Sequence, residues 1–121
     1  MYNLTEAEWS VLDVLWSGGR FSLGEVVEAL RPVTAWSRNT VHTYLTRMEA
    51  KELVSIDRTT EPHGYAAAVS REDCARKERN TLLNRVYGGA VGDLITAFLK
   101  ESSITPQERK RLRKLLDDME V

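Results

Sequence analysis

Trp36-Ser37-Arg38-Asn39-Thr40-Val41-His42-Thr43-Tyr44-Leu45-Thr46-Arg47-Met48 is the most informative segment of the chain. On a helical wheel at about 100° per residue, Val41, Leu45 and Met48 fall on one narrow apolar stripe. Opposite them lie Asn39, Thr43, Thr46, Arg47 and Ala50, with Thr40 at the rim. Between Ser37 and Met48 there are two arginines and no acid. Short polar side chains let a helix approach base edges closely. Threonine hydrogen-bonds a base or lays its methyl on that of thymine, and asparagine suits adenine. Arg38 and Arg47, with Arg58 further on, suit phosphates. A solvated helix face has much the same composition, so the neighbouring elements decide between the two readings.

Moving outward, Ser22 and Glu25 form a capping-box pattern that opens a helix from Leu23 to about Leu30, stopped by Pro32. The Ser37 helix runs to about Lys51. Leu53-Val54-Ser55-Ile56 and Tyr65 to Val69 then read as short strands around the turn-forming run Arg58 to Gly64. Thr5 and Glu8 open a first helix, about Glu6 to Trp16, with Leu4, Val11, Leu12 and Leu15 apolar and Gly18-Gly19 beyond its end. Three helices followed by a hairpin is the order of a winged helix-turn-helix, with Trp36 anchoring the turn. This context favours DNA reading by Ser37, Arg38, Asn39, Thr40, Thr43, Thr46, Arg47 and Arg58.

After the hairpin the chain returns to helix. Ser70 and Asp73 open one running to about Tyr87, where Gly88-Gly89 break it. A second covers about Ala90 to Lys100. Thr105, Pro106 and Glu108 open a third, reaching about Met119. The predicted fold is mainly α with a small β-hairpin: a winged domain over 1–70 and a three-helix dimerisation arm over 71–121. Leu82, Val86, Leu94, Ile95, Phe98, Leu112, Leu115 and Leu116 supply the arm's apolar stripe. Three short helices hardly make a stable core alone. A second copy, the commonest solution, would cover the stripe; packing back onto the chain's own winged domain is the alternative. The basic run Arg109-Lys110-Arg111 with Arg113 and Lys114 is a solvated face or a DNA contact.

Composition narrows the function classes. The 121 residues carry a formal net charge of −1. Residues 1–70 hold six Lys/Arg and nine Asp/Glu, and residues 71–121 hold eleven and nine. The domain expected to read DNA is thus acidic overall, and only its local field favours phosphate. The acidity leaves open a winged helix used for protein contact, against which the acid-free face of the Ser37 helix argues. No stretch approaches the roughly 18 apolar residues of a membrane span. The N-terminal residues carry no secretory pattern, so a cytoplasmic location is expected. The single cysteine, Cys74, excludes an internal disulfide. An enzyme needs a nucleophile beside a base, or a metal cluster. His42 reads as a groove-edge or surface residue and His63 as a solvated turn residue. Cys74 follows a helix N-cap, a position that lowers a thiol pKa, but has no evident partner. No catalytic site, metal or cofactor is expected.

Three segments carry a family resemblance. Leu4-Thr5-Glu6-Ala7-Glu8-Trp9 through Val14-Leu15-Trp16, the Trp36-to-Met48 stretch with Lys51, and Tyr87-Gly88-Gly89 through Leu94-Ile95-Thr96-Ala97-Phe98 with the Thr105-to-Leu116 helix resemble the BlaI/MecI repressors of penicillinase and methicillin resistance. The copper-responsive CopY branch belongs to the same family. The resemblance spans nearly the whole chain and implies a homodimeric repressor whose winged domains bind a double-stranded inverted-repeat operator. It also implies release by proteolysis in the C-terminal region, triggered through a membrane sensor-protease. The family's cleavage site is typically Asn-Phe; the matching pair here is Ala97-Phe98, in which Phe98 fits and Ala97 departs. The CopY branch uses a C-terminal cysteine cluster, which one cysteine cannot supply.

Overall fold

The computed structural model describes residues 3–119. Its elements follow the order α1 (Glu6–Trp16), α2 (Leu23–Leu30), α3 (Arg38–Ala50), β1 (Val54–Asp57), β2 (Gly64–Ala67), α4 (Arg71–Tyr87), α5 (Val91–Glu101) and α6 (Pro106–Asp118). This is the mainly helical fold with one hairpin expected from the sequence. Three capping boxes close in both directions, Thr5/Glu8, Ser22/Glu25 and Thr105/Glu108. Each satisfies two backbone N–H groups that a helix start otherwise leaves to water. Ser70 Oγ accepts from the Asp73 N–H at 3.1 Å.

The chain forms two compact units, one ending at Glu78 and the other beginning at Arg79. The division falls inside α4, later than the expected boundary after residue 70. The reason is local. Cys74 is 3% exposed, its N–H donates to Ser70 O, and Arg71 approaches Asp13 of α1, so the start of α4 packs with the first unit.

The core of the first unit draws on each of its first five elements. Val11, Leu12 and Leu15 come from α1, Val26 and Leu30 from α2, Val41, Leu45 and Met48 from α3, and Leu53, Val54 and Tyr65 from the hairpin region. All are 4% exposed or less. Burial of each such side chain is worth about 1.5–3 kcal/mol against leaving it in water. Trp16 fastens the end of α1 to the chain beyond the hairpin, its Nε1–H donating to Val69 O at 2.9 Å.

The hairpin pairs β1 and β2 antiparallel, with Val54 opposite Ala67 and Asp57 opposite Gly64. Phe21, just before α2, adds a bridge to Tyr65 through two backbone hydrogen bonds of 2.9 and 2.7 Å. Both strands sit slightly nearer the turn than expected. Leu53 is kept out of β1 because its N–H closes the end of α3 on Met48 O. A Cβ at Gly64 would meet the Arg20 guanidinium, which lies across it on the way to Asp57 and would have to shift.

In the second unit Gly88 and Gly89 take positive φ and turn the chain after α4. No residue between 79 and 119 is buried. Val86, Phe98, Leu115, Leu116 and Met119 are each more than half exposed. Among the described residues no helix is long and apolar enough to cross a membrane.

Candidate nucleic-acid interface

The site is built on α3. Ser37 caps it by accepting from the Thr40 N–H at 3.2 Å, and its hydroxyl also meets the Thr40 hydroxyl at 3.1 Å. Val41, Leu45 and Met48 are fully buried and fix the helix's rotation. Asn39, His42, Thr43, Thr46, Arg47 and Ala50 are consequently exposed, and Thr40 is half-buried at the rim. The wheel drawn from the sequence is the wheel the structure has.

The side chains on this face differ in freedom. Thr43 donates its hydroxyl proton to Asn39 O at 3.0 Å, and Thr46 donates to His42 O at 2.9 Å. Each threonine therefore offers solvent its methyl group and oxygen lone pairs, not its proton. Asn39, Thr40, Thr43, Tyr44 and Arg47 line one open depression. Half-buried Trp36 packs against the core and stacks on Tyr44, ring centroids 4.6 Å apart and planes 20° from parallel. It stiffens the turn into α3.

Arg58 is differently disposed from Arg38 and Arg47. Its guanidinium makes a two-pronged ion pair with Glu49 of α3, at 2.7 and 2.8 Å. The pair holds the Glu49 carboxyl below its ordinary pKa range. Arg58 thus ties the hairpin to α3, and a phosphate has to compete with that carboxylate for it. On the other side of the hairpin, Arg20 meets Asp57 at 2.7 Å and donates to the Thr60 hydroxyl at 2.6 Å. The hydroxyl and N–H of Thr59, with Arg20 nearby, hold the Asp57 carboxyl low.

Behind the face a second ion pair braces the helix. Glu8 of α1 is 4% exposed, and Lys51 at the end of α3 donates to its Oε2 at 2.6 Å. Burial alone would raise this carboxyl's pKa. The Lys51 hydrogen bond, the Thr5 backbone N–H and the Lys51 charge together bring it below the ordinary value.

Sequence reasoning assigned no role to the space between α3 and the hairpin loop. There Arg38 and His42, one helical turn apart, line the same cavity as His63, Glu61 and Tyr65. The Arg38–His42 spacing is legible in the sequence, but the approach of the loop is not. Cys74 is a buried residue of α4: burial, with Asp73 beside it, pushes the thiol's pKa up, so the helix start does not activate it. Among the described residues no group of three or more His, Cys, Asp or Glu is placed to hold a metal ion.

Two helices joined by a turn, packed under a third and followed by a two-stranded wing, define a winged helix-turn-helix protein. The chain belongs to the penicillinase repressor family, whose model matches residues 4–118. Family and fold together make it a DNA-binding repressor. It is similar to the penicillinase repressor of Staphylococcus aureus, 28% identical over 116 residues that span 96% of this chain and 92% of that one. Similarity to the methicillin resistance regulatory protein MecI of Mammaliicoccus sciuri is 25% over 116 residues, 96% and 94% of the two chains. Among solved structures, a CopR repressor is 29% identical with a TM-score of 0.48, covering 57% of this chain and all of that one.

Proposed function

We propose that this protein is a homodimeric transcriptional repressor that binds an inverted-repeat DNA operator, each α3 reading one half-site in the major groove. The observation that carries the reading is the exposed, acid-free face Asn39, Thr43, Thr46 and Arg47, held in place by the buried stripe Val41, Leu45 and Met48. Ser37, Arg38 and Thr40 at the start of the helix contact the backbone and the nearest base edges. Arg58 exchanges Glu49 for a phosphate or keeps its structural pairing. Dimerisation runs through the second unit, where Leu82, Val86, Ile95, Phe98, Leu115 and Leu116 are exposed in the single chain, with Leu94 and Leu112 half-buried beside them. Joining two reading domains raises the effective concentration of the second on DNA once the first is bound.

Release follows from the same arrangement. Cutting α5 at Ala97–Phe98 divides the arm and uncouples the two domains while leaving α3 intact. Both residues lie inside the helix, so a protease in the sensor pathway has to unwind it locally to reach the bond. Control of β-lactam resistance genes is the corresponding physiological reading, since the relatives named above are penicillinase and methicillin-resistance regulators.

The test is affinity capture of fragmented genomic DNA by the full chain, followed by sequencing. An enriched inverted repeat upstream of a β-lactamase or sensor-protease gene is the expected result. An inverted repeat elsewhere keeps the repressor and replaces the signal. No enrichment at low salt overturns DNA reading and leaves protein contact by the acidic winged domain.

A further inference from the structure

A cavity of about 280 Å3 opens between the first turns of α3 and the hairpin loop. Arg38 and His42 line it from α3, Leu23 from the start of α2, Tyr65 from β2, and Glu61 and His63 from the loop. Arg38 and His42 are four residues apart and therefore share one side of the helix. Arg38 makes no ion pair among the described residues, unlike Arg20, Arg31 and Arg58. Its guanidinium extends back over α2, with one terminal nitrogen 3.6 Å from where a Cβ on Gly24 would stand. Three nitrogen-bearing side chains from two separate elements thus line one opening. It lies beside the exposed face of α3.

We propose that this cavity is an oxyanion seat that takes a backbone phosphate of bound DNA, with Arg38, His42 and His63 as its donors. The inference rests on the DNA-binding reading above and adds His42 and His63 to it. A single phosphate presents several acceptor oxygens, which suits convergent N–H groups. It also gives the hairpin loop a hold on DNA that does not depend on Arg58. A histidine ring donates from both nitrogens, and carries charge, only when protonated.

Charged groups flank both histidines. Glu61 and Tyr65 share the cavity with both rings. On its other side His63 faces Arg20 and Glu25 across a second opening. Glu61 is the one acid lining the cavity, and its negative charge opposes an incoming phosphate.

The experiment is DNA binding by the full chain, measured by fluorescence anisotropy on a short labelled duplex. Phosphate binding does not require the operator sequence, so an arbitrary duplex at low salt serves. The proteins are the wild type, the doubly substituted His42→Gln/His63→Gln chain, and Glu61→Gln, each checked for an unchanged circular-dichroism spectrum. The expected result has three parts. The double variant binds several-fold more weakly at low salt. Its plot of log affinity against log salt is shallower by about one unit for each phosphate that the seat no longer holds. Glu61→Gln binds more tightly than wild type. Wild-type affinity and salt slope in the double variant overturn the seat and spare the DNA reading. No wild-type binding at low salt overturns both. In a parallel titration, inorganic phosphate is added while the His42 and His63 ring signals are followed by NMR. Displacement of phosphate by the duplex supports a shared seat; phosphate that saturates both rings without weakening DNA binding overturns it in favour of a free-anion site.

Discussion

Among single residues, the proposed DNA-reading face of α3 should separate affinity from sequence preference. Arg47 is a long cation without an ion-pair partner among the described residues, and Arg47→Ala is expected to weaken binding to all duplexes alike. The salt dependence should become shallower by about one unit, as read from anisotropy titrations at several salt concentrations. Thr43 keeps its hydroxyl proton on Asn39 O and shows its methyl and oxygen outward. Thr43→Ala is therefore expected to cost about 1 kcal/mol on the operator and little on unrelated DNA. Equal losses on both would remove its part in reading. Away from the DNA face, Lys51→Met leaves the Glu8 carboxylate buried without its cation. The expected cost is about 1–2 kcal/mol by urea denaturation at neutral pH, below that of a fully buried pair because the ammonium is half-exposed. Folding depresses the Glu8 pKa, so its contribution is complete above the ordinary value of 4.5 and is lost as pH falls through the folded value. The gap between wild type and Lys51→Met should accordingly narrow on acidification across that window. A gap that stays constant there assigns the effect to packing.

At the scale of elements, the end of α3 sets both the reading helix and the wing. Lys51 caps the helix, and Glu52 follows with φ 64°. The Glu52 N–H meets Glu49 O and the Leu53 N–H meets Met48 O, both at 2.9 Å. These paired bonds form a Schellman turn, whose left-handed residue is usually glycine. A glutamate there bears the left-handed penalty, so Glu52→Gly is expected to stabilise the protein by up to about 1 kcal/mol. Thermal or urea unfolding measures it, and a destabilised variant would show that the Glu52 side chain has a stabilising contact. The same element shows what was legible beforehand. The helix, its cap at Ser37 and its buried stripe followed from apolar spacing. The positive φ at Glu52 did not, because no glycine marks it in the sequence.

At the scale of the whole molecule, the two units differ in how they dispose of apolar surface. The first closes a core from α1, α2, α3 and the hairpin region. The second leaves Val86, Phe98, Leu115 and Leu116 more than half exposed. Apolar surface of that extent on three short helices favours burial by a second copy. Under the proposed pairing, Phe98→Asp is expected to give a monomer in sedimentation velocity at micromolar concentration and to lower operator affinity about tenfold or more, because the proposed link between two copies is lost. The first unit's fold should be unchanged by circular dichroism. A variant that remains dimeric moves the interface elsewhere.

By itself the sequence determined the order of elements, the helix starts and the identity of the buried stripe on α3. These depend on capping chemistry and on periodic apolar spacing within a few residues, and both are local. Family membership rests on sequence as well, through the match over residues 4–118. Which cations are engaged and which are available depends on how the elements pack. Arg58 and Glu49 stand nine positions apart, Arg20 and Thr60 forty, and Lys51 and Glu8 forty-three, and no local pattern links such partners. For the same reason His42 and His63 read separately as surface residues until the hairpin brings them to one cavity. Side-chain pairing across a fold is set by the packing of whole elements, whereas a helix and its cap are set by neighbours in the chain.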